Sequence, residues 1–335
     1  MKKILAVAIA TAFAAPAFAA TSNVDIYGRI NMAVTWYNDQ PSDINDLGIG
    51  SYASRIGFKG SEDLGGGLKG IWQIESGVNL DEQNGTLASR NSFLGLAGGW
   101  GTVLVGNHDT PLKLVGRKVD LFGDTIGDSR NVMGGGSDTR AKNVAAYLTP
   151  NFSGFSGAVA FTTDLNINGT STLGDSEDGS AYNLSGAYEN GPIYVGVAYG
   201  DGDYHEWAGL AEHWRVAGSF SFGNAKIVGQ YDMLGADGSA AGDYDAWMIG
   251  GAYKMGAMTL KANYMMGEYD TSTVEPEQYS LGVDYAMSKR TTLYGLWTGG
   301  EAVVLGGGAG ASDRVGPSVP GGDISGLSFG VAHNF

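Results

Sequence analysis

The chain has no cysteine among its 335 residues, so it has neither a disulfide framework nor a thiolate metal site. Basic charge is short: 20 Lys+Arg stand against 35 Asp+Glu, a balance that argues against nucleic acid as a partner. Only 4 histidines are present. His108, His205, His213 and His333 lie far apart, with no metal-binding spacing such as H-E-x-x-H. Beyond the first twenty residues no stretch approaches the 18 or more apolar residues that a spanning helix needs, and proline amounts to 8 residues. Glycine, in contrast, is abundant, with 56 residues, about 17 % where 7 % or so is usual. That is too much for a helical bundle, and no G-x-y period supports a collagen. Hydrophobic residues make up 43 % and aromatic residues 11 %, which also excludes a disordered acidic chain.

The first residues read as an export signal. Lys2 and Lys3 form a basic start, Ile4 to Phe13 an apolar stretch, and Ala17-Phe18-Ala19 an A-x-A cleavage site. Residues 1–19 are therefore expected to be removed and residues 20–335 to form the mature protein, two units more negative than the precursor.

The mature chain has a period of two. From Val24 to Tyr37 the even positions read Val24, Ile26, Gly28, Ile30, Met32, Val34 and Trp36, and the odd ones Asp25, Tyr27, Arg29, Asn31, Ala33, Thr35 and Tyr37. One face is apolar and the other polar, the signature of a strand between two media. The pattern returns at Leu68–Leu80, Pro192–Gly200, Ala225–Met233 and Gln278–Met287. Short connections such as Gly223-Asn224 and Met255-Gly256 alternate with long ones: Pro41 to Gly50, Leu80 to Ser89, Thr110 to Thr139, Leu165 to Gly179 and Gly299 to Asp323.

Counting the runs predicts an all-β protein, a transmembrane antiparallel β-barrel of about sixteen strands with short turns on the periplasmic side and long loops outside. Closure follows from the solvent: in hydrocarbon every backbone N–H and C=O must pair within the protein, so the sheet has no tolerable edge. A ring of that size encloses water rather than its own side chains. Trp36, Trp72, Trp214, Trp297, Phe58, Tyr188 and Tyr285 fall near strand ends on the apolar face, as interfacial aromatic girdles do. A soluble secreted sandwich is the competing architecture, but it does not account for so many repeats.

Five blocks in order carry a resemblance to a known family. They are Val24-Asp25-Ile26-Tyr27-Gly28-Arg29, the run Ser54 to Gly65, Ser89 to Leu96 with Gly106, Arg140 to Asn143 with Tyr147, Pro150 and Gly154, and Phe329 to Phe335. Across the whole mature chain the sequence resembles the Gram-negative general porins of β-proteobacterial type. The resemblance implies a homotrimer in the outer membrane, among lipid and lipopolysaccharide, with a long third loop folded into the lumen. It implies passage of ions and small hydrophilic solutes, with no cofactor, no metal and no catalytic residue. The alternating Phe329, Val331, His333 and Phe335 resemble the terminal signal read by the barrel-assembly machinery.

In such proteins basic residues on the wall face acidic residues on the third loop. By motif position the resemblance assigns Arg29, Arg55, Arg90 and Arg140 to the basic ladder, with Lys59 on the same wet face as Arg55. Residues 110–139 are the third-loop candidate, with Asp120, Asp124, Asp128 and Asp138 as its acids and Phe122-Gly123-Asp124 resembling the loop tip. Parity places Arg29, Arg55 and Lys59 inward. Arg90 is placed inward by the resemblance alone, and Arg140 is expected just before its strand begins. Arg117, Lys118 and Arg130 lie on the same loop and oppose its acids. Opposed charges across a water-filled bore would focus a transverse field, with an expected lean toward anions.

Two other readings remain open on the sequence. A substrate-specific channel needs an aromatic track, for which Tyr27, Tyr37, Tyr147 and Tyr194 are candidates. A barrel enzyme needs a nucleophile or acid beside a histidine, and the G-x-S-x-G match at Gly326–Gly330 has no room for the helix and downstream histidine of a nucleophile elbow.

Overall fold

The computed structural model describes residues 23–40, 44–82, 86–134, 138–162, 180–202, 210–236, 242–306 and 322–335. The expected leader, residues 1–19, lies outside them. The two-residue period becomes strand almost everywhere, because it lets each segment send apolar side chains one way and polar ones the other.

In chain order the strands are β1 (Asn23–Gln40), β2 (Ile44–Ser51), β3 (Arg55–Gly65), β4 (Leu68–Gly77), β5 (Ser92–Gly98), β6 (Gly101–Asp109), β7 (Arg140–Leu148) and β8 (Phe155–Thr162). They continue as β9 (Ala181–Asn190), β10 (Ile193–Gly202), β11 (Leu210–Phe222), β12 (Ala225–Ala236) and β13 (Tyr244–Met255). The last are β14 (Met258–Tyr269), β15 (Glu277–Ala286), β16 (Thr291–Glu301) and β17 (Asp323–Asn334).

β1 pairs antiparallel with both β2 and β3, each strand from β3 to β16 pairs antiparallel with the next, and β17 pairs back onto β1. The ring is therefore closed and leaves no edge to hydrocarbon. The seam is finished by Phe335, whose N–H and C=O exchange hydrogen bonds with Gly28 at 3.1 and 3.0 Å. β2 and β3 both pair with β1, Met32 opposite Ser51 and Arg29 opposite Arg55. They are two halves of one strand interrupted by a bulge, with Ala53 at φ 52, and the barrel has sixteen strands.

This corrects one expectation. Pro41 to Gly50 read as a long connection because its composition is rich in Gly, Asp and Asn, yet Ile44–Ser51 is strand. The signal was present in miniature: Leu47 and Ile49 point outward and are exposed, alternating with Gly48 and Gly50 on the inside.

The two faces separate sharply. Trp36 is 58 % exposed and its neighbour Thr35 0 %. Outside, Val34, Trp214, Ile249, Trp297, Leu327 and Phe329 form an apolar band; inside, Asn31, Asn183, Gln230, Gln278, Ser280, Thr298 and Ser328 are buried. No helix among the described residues is long and apolar enough to span a membrane; the strands do so instead.

Toward the long-loop end, the outer face carries carboxylates directly opposite one another. Asp201 pairs with Glu212, Asp245 with Glu268, Glu277 with Glu301, and Glu301 with Asp323. Tyrosines on the neighbouring strands reach to them: Tyr182 donates to Asp201 at 2.8 Å and Tyr231 to Asp245 at 3.2 Å. Asp201 belongs to β10 and Glu268 to β14.

Between β6 and β7 the chain enters the ring. Thr110 caps a short helix α1 (Pro111–Arg117), accepting from Lys113 N–H, with Pro111 at the first turn where its missing donor costs nothing. Leu112 and Val115 are buried on the side that packs on β9, β10 and β11. Inner-face side chains then hold the segment along its course. Tyr194 donates to Val115 O at 3.2 Å, Tyr244 to Val132 O at 2.7 Å, Gln278 to Gly127 O at 3.1 Å and Asn31 to Asp124 O at 2.7 Å.

Candidate functional site

The tip of the β6–β7 segment is braced by its own acids. Asp120 accepts the N–H groups of Phe122 and Ser129 at 2.9 and 3.1 Å, and Asp128 accepts that of Asp124 at 2.8 Å. Asp124 itself adopts φ 61, a left-handed conformation that Asp tolerates better than most residues. The turn aims its carboxylate at the wall. Phe122 is seated beside Gly282, where an added Cβ would lie 2.8 Å from the Phe122 ring, and Lys261 Nζ stands 4.8 Å from the ring centre.

Four guanidinium groups surround Asp124. Arg117 donates to Oδ1 at 3.0 Å, Arg29 and Arg55 lie 3.3 and 3.5 Å from Oδ2, and Arg130 lies 3.8 Å from Oδ1. Two come from the wall and two from the segment itself. Burial works against this anion, but Arg117, Arg29 and Arg55 overcome it and hold the carboxyl at about 2. Asp128 is gripped bidentately by Arg130, at 2.8 and 2.7 Å, which outweighs its burial and keeps it below the usual carboxylate range. No cation pairs with Asp120 in this way among the described residues. Burial and the neighbouring Asp128 push it up to about 7.

Two of the remaining basic residues expected in the ladder, Arg90 and Arg140, are paired with other acids. Arg90 Nε donates to Glu75 at 2.6 Å, and Tyr27 donates to the other oxygen of that carboxylate at 2.9 Å. Arg90 precedes β5 rather than belonging to it, which explains why strand parity did not place it. Arg140 Nη2 lies 3.0 Å from Asp109, which also meets Lys113 Nζ at 3.1 Å. The expectation that Arg140 precedes its strand is corrected: it is the first residue of β7, and Asn143 at φ 52 with a register shift near His108 resets the parity beyond it. Lys59 is exposed at the short-turn end, 5.1 Å above the Tyr27 ring. Recesses of about 290 and 320 Å³ lie on the short-turn and long-loop sides of the tip, the first lined by Arg29, Arg117 and Lys261, the second by Arg130, Tyr244 and Tyr269.

The four candidate tyrosines do not form a track. Tyr147 faces outward, stacked on Trp100 and donating to its carbonyl; Tyr37 and Tyr194 are buried. Sequence reasoning missed the inner-wall pair Arg215 and Asp232, bonded at 2.8 and 2.7 Å. Hairpin arithmetic about the Gly223-Asn224 turn puts these two opposite each other, so the signal was available.

A family model described as "Gram-negative porin" matches residues 6–297. The chain is 30% identical over 316 residues to outer membrane porin protein 32 of Delftia acidovorans, covering 88% of each. It is 29% identical to major outer membrane protein P.IB of Neisseria gonorrhoeae, covering 87% of this chain and 91% of that one. Among solved structures, an anion-selective porin from Comamonas acidovorans superposes with a TM-score of 0.77 at 27% identity, over 94% of this chain and 100% of the other. A closed sixteen-strand barrel with an apolar belt, and relatives that are channels rather than enzymes, leave a single assignment: the chain belongs to the Gram-negative porin family and resides in the outer membrane.

Proposed function

We propose that the protein is a passive diffusion channel for ions and small hydrophilic solutes, filtered by size and by charge where the β6–β7 segment meets the wall, and favouring anions. The observation that carries this reading is the charge count at the tip. Four guanidinium groups, Arg29, Arg55, Arg117 and Arg130, stand against the two ionised carboxylates Asp124 and Asp128. The overall charge of -15 points the other way, but charges beyond a Debye length of about 8 Å are screened at physiological salt. The groups at the narrowest point therefore govern selectivity. Asp120 adds little anionic charge below neutral pH. Arg90, Arg140 and Lys59 would continue the positive wall on either side.

The same reading includes export through the periplasm with loss of residues 1–19, homotrimeric assembly within lipid and lipopolysaccharide, and recognition of Phe329, Val331, His333 and Phe335 by the assembly machinery. The test is single-channel recording of the refolded mature protein in a planar bilayer under a salt gradient. Stepwise openings in threes with a reversal potential toward that of the anion are expected. A folded, inserted barrel without conductance, or one with cation preference, would sink the reading.

A further inference from the structure

Arg215 is the bulkiest fully buried side chain among the described residues, at 0 % exposure. A buried guanidinium has five donors to satisfy, and here they are spent on two different parts of the molecule. Nε and Nη2 make the bidentate pair with Asp232 on the adjacent strand β12, at 2.8 and 2.7 Å. Gln230 Nε2 donates to the same carboxylate at 3.1 Å. Nη1 turns away from the wall: it donates to Leu112 O in α1 at 2.9 Å and lies 3.2 Å from Asp138 Oδ1, just before β7. One side chain therefore reaches both the entry and the exit of the β6–β7 segment.

The packing confirms a tight seat. A Cβ on Gly116 would lie 2.6 Å from Arg215 Nη1, and one on Gly134, at φ 86, would lie 3.1 Å from Nη2. Glycine at both positions lets the guanidinium slot between the two arms of the segment. A lysine has one donor centre and could not serve Asp232, Leu112 and Asp138 together.

We propose that Arg215, oriented by Asp232, is the positioning residue that pins both arms of the β6–β7 segment to the wall and so fixes the aperture formed by its tip. The proposal rests on the reading of that segment as the channel constriction. Arg215 touches no permeating solute; its effect is on the steadiness of the opening. The tip is docked separately, through Asp124 and Phe122, so loss of the pin loosens the arms without expelling the segment.

The test uses single-channel recording on three variants beside thermal unfolding of the barrel. Removing Asp232 alone would orphan a buried charge, so the pair is replaced together, Arg215→Met with Asp232→Leu, which leaves an apolar pair in the wall. Arg215→Lys keeps the charge. Gly116→Ala acts from the segment side alone, and it favours the helix while displacing the guanidinium. All three are expected to fold and to show brief closures roughly tenfold more often, equivalent to about 1.4 kcal/mol of docking, with the unfolding temperature of the double variant and of Gly116→Ala unchanged. Native closure statistics in the double variant and in Gly116→Ala would overturn the proposal. So would a fall in unfolding temperature that tracks the noise across all three, since Arg215 would then be a staple of the wall. Arg29→Ala serves as the separate control: if it leaves selectivity unaltered, the constriction reading fails rather than the pin.

Discussion

Asp124 and Arg29 meet at 3.3 Å, one from the segment that crosses the ring and the other from the first strand of its wall. The contact joins residues far apart in the chain and closes the space between them with opposite charge. Arg55 stands beside Arg29, 3.5 Å from the same carboxylate, so the wall contributes two cations to one anion and the pair is over-supplied with positive charge.

Removing one of these cations is expected to change what passes. A unit charge at about 4 Å in a water-like medium is worth about 1 kcal/mol, roughly fivefold in the local ratio of anions to cations. Arg29→Ala and Arg55→Ala are each expected to shift the reversal potential toward cations by that order, with slightly larger conductance. Measurement under a fixed salt gradient checks it, and no shift in either variant removes the ladder from the mechanism.

Asp120 is expected to make selectivity depend on pH. Its carboxyl is raised to about 7, so it is neutral in the folded protein at mildly acid pH and becomes charged as pH rises through neutrality. Anion preference is expected to fall between about pH 6 and 8, and Asp120→Asn to flatten that profile. Because the folded form holds its proton more tightly than the unfolded one, docking of the tip is favoured at the acid end and weakens as pH rises through about 7. A profile unchanged by Asp120→Asn would assign the titration elsewhere.

Asp124 behaves in the opposite sense. Its carboxyl is held at about 2, below the unfolded value, so its ion pairs contribute in full above about pH 4 and are lost as pH falls toward 2, about 2 kcal/mol in all. Recordings stepped from pH 5 to pH 2.5 are expected to become noisier at the acid end, and Asp124→Asn to be noisy throughout. Equal noise for variant and native protein at pH 5 would count against this docking role.

The seam at Phe335 affects assembly. Its two backbone hydrogen bonds to Gly28 contribute about 1 kcal/mol each, and deletion of Phe335 removes both. A lower unfolding temperature and slower refolding, read by heat-modifiable migration on gels, are expected for the deletion, whereas Phe335→Tyr keeps the bonds and refolds as the native chain does.

The barrel was legible because its code is local. Most strands, beginning with Val24 to Trp36, repeat a two-residue alternation set by the media on their two sides, and turn residues such as Gly223-Asn224 mark the hairpins. Ile44–Ser51 escaped because two of its inward residues are glycine, which carries no polarity to read. The site was half legible. Arg29 and Arg55 lie on regular strands whose parity fixes their direction, but Arg90 precedes its strand and the register shift beside Arg140 breaks the count. The pairing of Asp128 with Arg130, and the turning of Asp120 onto its own backbone, depend on a loop conformation that no period encodes. Arg215 was overlooked although the hairpin register names its partner, because a buried ion pair inside a water-filled ring is not where polarity alone directs attention.

The cross-strand carboxylates give the molecule a soft end and a hard end. At the short-turn end the hairpins are tight and the chain terminus is bonded into the seam; at the other, Asp245 faces Glu268 and Glu301 is flanked by Glu277 and Asp323. Like charges directly opposite push strands apart, and dissolved salt relieves that repulsion. Fraying is therefore expected to start at the long-loop end and move inward, with the ionic strength of the surrounding medium acting on the barrel as a tension applied to one rim only.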